Sequence, residues 1–279
     1  MPAPSFVHLR LHSEFSIVDG IVRIDEAVAK AAAEGMPALG LTDLGNVFAL
    51  VKFYQAARTR GVKPVIGCDA WVESRRGAPQ RILLLSQNHD GYLRLARLLT
   101  RGFREKGGRA ELRKAWLSEE GTEGLIALSG GKWGEVGEAL CSGNFEQAKA
   151  LALEWAQLFP NRFYLELQRG RDPNSESLVR RSVHLASSLA IPVVATHPVQ
   201  FLEADDFKAH ETRVCIAGGY LLNDSRRPRP FTPEDYFKSA REMEALFADL
   251  PAALENTVEI AKRCNLELEL GINRLPACP

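Results

Sequence analysis

Residues 6–20, FVHLRLHSEFSIVDG, bring imidazole, guanidinium and carboxylate into one short run. His8, Arg10 and His12 alternate with Val7, Leu9 and Leu11, and Asp19 follows before Gly20. Imidazole and carboxylate are the donors of hydrolytic metal sites, where about three N, O or S ligands leave one position open for water. Arg10 opposes that chemistry, because a guanidinium stays protonated, offers no lone pair and repels a divalent ion. The mixture recurs at the edges of later apolar runs, in Thr42-Asp43-Leu44-Gly45, Cys68-Asp69, Arg81, Ser129-Gly130-Gly131 and His197-Pro198-Val199-Gln200.

Such scattered positions need a scaffold that gathers strand ends. FVHLRLH, PALGLTD, KPVIGCDAWVE, RILLLSQ, GLIALSG, RFYLELQ and IPVVAT read as seven strands, alternating with amphipathic helical stretches such as IDEAVAKAAAEG and NFEQAKALALEWAQLF. This beat of βα units predicts an α/β protein with a parallel sheet, and in closed versions the site forms at the carboxyl ends of the strands. After Thr196 the pattern is nearly all helical. Thr232 reads as an N-cap, with Pro233 at the first helical position and Glu234 and Asp235 suiting the dipole. Two terminal helices are expected to pack outside the barrel. Turns are expected at Gly35-Met36-Pro37, Gly61, Gly77-Ala78-Pro79, Gly107-Gly108, Asp172-Pro173 and Arg227-Pro228.

Composition excludes several classes. A chain of 279 residues, 46% hydrophobic, is large enough to need neither disulfide nor metal for stability, so a metal here would serve chemistry. Its 35 basic and 35 acidic residues cancel, which removes the positive field of an autonomous nucleic-acid binder. Five dispersed cysteines without a CxxC pair or a signal peptide suggest a reduced, cytoplasmic setting, and no apolar run approaches the roughly 18 residues of a membrane span.

The blocks FVHLRLHSEFSIVDG, ALGLTDLGN, VKFYQAARTRGVKPVIGCDAWV, LLLSQNHDGYLRLARLL, GLIALSGG, FYLELQR, IPVVATHPVQFL and LFADLPAALENTVEIAKRCN run in order from end to end. Together they resemble the amino-terminal polymerase and histidinol phosphatase (PHP) domain of bacterial replicative DNA polymerase III alpha subunits. The resemblance implies a distorted (β/α)7 barrel with extra C-terminal helices, in whose metal-binding members three metals sit at the carboxyl end. Carried over position by position, the ligand pattern is broken. The first histidine of His-x-His is Arg10, whereas His12 and Asp19 match; the histidine of Thr-Asp-His-Gly is Leu44; a glutamate is Asp69; a histidine is Arg81; a cysteine or histidine is Gly131; and Asp-x-His has become Pro198 and Gln200. Of these nine positions only His12, Asp19 and Asp69 keep ligand chemistry, too few for three metals.

The expectation is therefore a metal-free mouth in which Arg10 replaces the lost cation and pairs with Asp19, Asp69 or Asp43. His8 is expected as a hydrogen-bonded histidine inside the barrel and His197 as a structural one. Cys68 is expected as a packed thiol, 101–114 as a solvated loop in preference to a DNA or partner contact, and 226–230 as a surface turn or a docking edge. His89, His184 and His210 are assigned no function. By resemblance, residues 1–270 form the PHP domain and 271–279 begin a connector to polymerase domains. The role implied is a non-catalytic platform for the proofreading exonuclease (epsilon) subunit. The parent chain would be a DNA-directed DNA polymerase that uses Mg2+, meets DNA through its holoenzyme and has no membrane partner. The competing readings are an active metal-dependent PHP phosphoesterase or nuclease, and a stand-alone barrel enzyme with other pocket chemistry.

Overall fold

The computed structural model describes residues 6–74, 77–170 and 174–272. Asp172-Pro173 and the connector beyond Ile272 lie outside them. The elements run α1 (Ile24–Ala33), β1 (Ala38–Leu41), α2 (Leu50–Thr59), β2 (Lys63–Val72), β3 (Gln80–Ser86), α3 (His89–Lys106), β4 (Glu111–Leu112), α4 (Lys114–Glu120) and β5 (Leu125–Leu128). There follow α5 (Glu135–Cys141), α6 (Phe145–Leu158), β6 (Phe163–Gln168), α7 (Ser175–Leu189), β7 (Val193–Thr196), α8 (Phe207–Gly218), α9 (Ala240–Leu246) and α10 (Pro251–Arg263).

The strands form one curled sheet in the order β1-β2-β3-β5-β6-β7, with β4 beside β2. Strand alternation divides the core. Cys68, Ala70, Leu84, Ala127 and Leu165 face one way, under α3 to α7. Val65, Leu83, Leu85, Ile126, Leu128, Tyr164 and Val194 face the other, with Val258 and Ile260 of α10 closing the interior.

The predicted first strand is instead an extended segment with little regular pairing. It bridges the edges of the curl: Gly40 N–H donates to His8 O at 2.6 Å, Thr42 N–H to Leu11 O at 3.0 Å, and His12 N–H to Val199 O at 3.0 Å. Gly40 permits that approach, since a Cβ there would lie 2.8 Å from Leu9 Cα and Leu9 O, backbone that cannot swing aside. Gly40→Ala is expected to lower stability by about 2–3 kcal/mol in urea unfolding, the scale of core overpacking. Gly77→Ala, with nothing within 4 Å of the new methyl, should stay within about 0.5 kcal/mol of wild type.

Three further expectations are corrected. The sheet is not wholly parallel, because β3 runs antiparallel to both β2 and β5. Only 73–79 separate β2 from β3, too few for the dozen or more residues of a parallel crossover. The stretch 101–114 is not one loop: α3 continues to Lys106, Glu111–Leu112 pair with Trp71 and Val72, and α4 starts at Lys114. Nor does Thr232 cap a helix. Its N–H donates to Asp235 Oδ2 at 2.9 Å in a turn, and α9 starts after Ser239, whose hydroxyl and Glu242 form a reciprocal capping box.

Candidate functional site

Alternate strand residues on the concave face change from apolar in the interior to charged at the mouth. Val65 gives way to Asp69 on β2, Tyr164 to Glu166 on β6 and Val194 to Thr196 on β7. The reversed β3 delivers Arg81 from its amino end, opposite Trp71, so a residue that starts its strand still reaches the mouth.

Arg10 lies buried at the centre. Its Nε donates to Glu166 Oε1 at 2.7 Å, its Nη2 to Glu166 Oε2 at 3.1 Å, and its Nη1 to Asp69 Oδ2. This side-on fork is the strong geometry for guanidinium and carboxylate. The same Asp69 oxygen lies 3.3 Å from Arg81 Nη1 and 3.2 Å from His12 Nε2. Asp69 Oδ1 is buried and has no hydrogen-bond partner among the described residues. His12 Nδ1 meets Asp19 Oδ2 at 2.9 Å, and Gln200 Nε2 sits 3.2 Å from the same nitrogen. Thr196 Oγ1 and Gln168 Nε2 donate to Glu166, whose backbone N–H is held by Ser129 Oγ at 2.9 Å. The guanidinium of Arg81 lies 4.6 Å from the Trp71 ring and 5.2 Å from that of Trp133.

Burial works against the charges of Arg10, His12, Asp19 and Asp69, yet the partners prevail. For His12, burial lowers the pKa, but Asp19 and Asp69 push it up to about 9, so it is an imidazolium at neutral pH. Burial would raise the carboxyls of Asp69 and Asp19; Arg10 and Arg81 hold the first below its usual range, and His12 the second. The Arg10 guanidinium is held charged by Asp69 and Glu166 against its own burial. Arg10, Arg81 and His12 thus face Asp19, Asp69 and Glu166, three cations and three carboxylates.

Asp43 lies outside this set. It accepts from Ser13 N–H at 2.6 Å, Ser13 Oγ at 2.9 Å and Ser16 Oγ at 2.8 Å, tying the rim loop to β1, and burial raises its pKa. Asp19 likewise meets His12 and not Arg10. Glu166 is the partner that sequence reasoning missed; its only signal was one acid alternating with Tyr164 and Gln168 in FYLELQ. Leu44 is buried and bridged to Asp69, while Gly131, at φ 56° beside Gln168, and Pro198 and Gln200 line a cavity of about 170 Å³ with Arg10, Arg81 and Trp133.

His8 and His197 form a second buried group away from the carboxylates. Their Nε2 atoms meet the carbonyls of Lys238 at 2.7 Å and Glu234 at 2.9 Å, and burial lowers them to about 4 and about 3, so both rings are neutral. His8 is buried and hydrogen-bonded, as expected, and packs on Phe6 and Phe237. Cys68 is buried on the opposite face from Asp69, and burial pushes its thiol well up, so it is no nucleophile.

The donor set does not fit a multinuclear metal centre. His12 Nδ1 meets Asp19 Oδ2 at 2.9 Å, while Nε2 lies 3.2 Å from Asp69 Oδ2 without a hydrogen bond among the described residues. The remaining carboxylates converge on guanidinium groups. Among the described residues no cluster of His, Cys, Asp and Glu has the arrangement of a metal site.

Residues 8–170 match the PHP domain family. Over its full length the chain is 52% identical to DNA polymerase III subunit alpha of Neisseria meningitidis serogroup A, covering 25% of that protein, and 44% identical to that of Escherichia coli K12, covering 24%. It therefore spans about a quarter of these relatives. Among solved structures, an amidohydrolase from Chromobacterium violaceum aligns with TM-score 0.49 at 14% identity, over 75% of this chain and 96% of that one.

Proposed function

Since this chain belongs to the PHP domain family and its homologues are alpha subunits of DNA polymerase III, we propose that it serves DNA replication as a non-catalytic, metal-free PHP domain. In this reading it is a rigid scaffold that docks the proofreading exonuclease subunit. The parent chain is a cytoplasmic DNA-directed DNA polymerase whose Mg2+ chemistry lies in other domains, and it meets DNA through the assembled holoenzyme. The observation that carries the reading is the Arg10 fork between Asp69 and Glu166. A fixed positive charge fills the centre of the mouth and bonds Asp69 and Glu166, two of the carboxylates there. Without a Lewis acid or a metal-bound hydroxide the mouth has no nucleophile for phosphoester cleavage. No described helix is long and apolar enough to cross a membrane.

Protein purified without chelator should contain substoichiometric zinc, manganese and iron, and hydrolyse p-nitrophenyl phosphate no faster with these metals than in EDTA. A multinuclear metal complement with turnover abolished by EDTA would instead establish the phosphoesterase reading. In the same preparation the cognate exonuclease subunit should form a stable complex by sedimentation velocity.

A further inference from the structure

The cavity of about 170 Å³ beside the Arg10 cluster is walled by groups of two kinds. Trp133 and Phe231 supply rings, and Leu178 and Val179 of α7 supply aliphatic surface. Phe231 stands edge-on to the buried His210, with ring centroids 4.8 Å apart. Arg81 and Gln168 supply polar atoms. A concave, largely apolar space with a few placed polar groups has the composition of a small-ligand site.

The two polar side chains are fixed in place and differ in hydrogen-bonding character. The Arg81 side chain is only 10% exposed, its guanidinium lies against the rings of Trp71 and Trp133, and its Nη1 is 3.3 Å from Asp69. Its Nε–H is buried without a partner among the described residues, which stays unfavourable until an acceptor arrives. Gln168 Nε2 donates to Glu166 Oε1 at 2.9 Å and to Thr196 Oγ1 at 3.2 Å. A carboxylate only accepts, so the amide orientation is determined and Oε1 is its acceptor end. The Gly130-Gly131 turn lies between the two side chains. A Cβ at Gly130 would strike the Arg81 carbonyl, and one at Gly131 would stand 2.9 Å from Gln168 Oε1, so glycine keeps the space beside that oxygen open.

We propose that this cavity binds a planar lactam, an uncharged heterocycle with adjacent C=O and N–H groups, of which the thymine base is an example. The carbonyl accepts from Arg81 Nε–H, the ring N–H donates to Gln168 Oε1, and the ring faces meet the apolar wall. The proposal rests on the metal-free reading, because it uses Arg81 and Gln168 beside an intact Arg10 cluster. An anion fits less well. The mouth already balances three cations against three carboxylates, and Arg169, also on the wall, is engaged by Glu176 and Asp249. A wholly apolar ligand would leave the Arg81 Nε–H unpaired. Free nucleosides and the unpaired bases of a DNA strand carry the same lactam edge.

Thymidine is the probe, titrated into the intact protein by calorimetry in EDTA, where a ligand of this size is expected to bind with a sub-millimolar Kd. N3-methylthymidine, which lacks the N–H, should bind about tenfold more weakly or worse, as should thymidine to Gln168→Met. Leu178→Trp, which fills the cavity, should abolish binding with an unchanged unfolding midpoint, while Leu153→Ala, on the exposed face of α6, should leave binding unchanged. A single-stranded oligothymidylate run in parallel separates the sources: tighter binding of the nucleoside points to the free pool, tighter binding of the strand to an unpaired base, and sensitivity to N3 methylation supports the lactam edge in both. No saturable binding of either probe at millimolar concentration, or binding indifferent to N3 methylation, overturns the pocket and leaves the metal-free reading standing. Displacement of thymidine by an equal concentration of inorganic phosphate also overturns it. Binding that appears only when manganese replaces EDTA overturns both.

Discussion

Arg10→Met lowers the unfolding free energy by about 3–5 kcal/mol, the cost of removing one partner from a buried ion cluster. Three donated bonds disappear, and Asp69 and Glu166 remain buried with less than their charge neutralised. Adding Glu166→Gln and Asp69→Asn to Arg10→Met should recover most of the loss, because the desolvation penalty leaves with the charges. Arg10→Lys should fall between, since an ammonium keeps the charge but cannot form the fork. Urea unfolding followed by circular dichroism measures all three. Arg10→Met within about 1 kcal/mol of wild type would show that the cluster contributes little to stability and that Arg10 does not take a metal's place energetically.

How much of this cluster was readable in advance depended on how local each signal was. Arg10, His12, Asp69 and Arg81 stood out because a charged residue at the edge of an apolar run must find a partner on burial. Glu166 did not, because pairing across 156 residues is set by the curl of the sheet and leaves no trace in FYLELQ. Asp43 was expected among the partners of Arg10, but Ser13 and Ser16, brought across from the preceding rim loop, satisfy it instead. The reversed β3 was legible from the missing helix between GCDAWVE and RILLLSQ, yet the βα rhythm on either side suggested continuity. Thr232 failed as an N-cap because its pattern of Thr, Pro and acids suits a turn equally well, and Ser239 with Glu242 was the stronger box.

The stability of the protein should fall on both sides of a maximum between pH 6 and 7, for opposite reasons traceable to different histidines. His12 has its pKa raised from 6.5 to about 9 in the folded state, so its contribution is fully present below pH 6.5 and is lost as pH rises through 9. That shift corresponds to about 3 kcal/mol at most. Above pH 9 the balance of three cations and three carboxylates becomes an excess of negative charge in a buried site. His8 and His197 carry the opposite sign. Held near 4 and 3, they refuse protons that the unfolded chain accepts below 6.5, so stability declines as pH drops from 6.5 toward those values. Asp69, whose pKa is lowered from 3.8, adds a further loss as pH falls below that unfolded value and through its folded one. His12→Gln should abolish the alkaline limb between pH 6.5 and 9 and leave the acid limb intact, whereas His197→Asn should make the acid limb shallower and spare the alkaline one. Unfolding free energies at intervals from pH 4 to 10 provide the measurement. An alkaline limb undiminished in His12→Gln would mean that His12 is not an imidazolium held between Asp19 and Asp69.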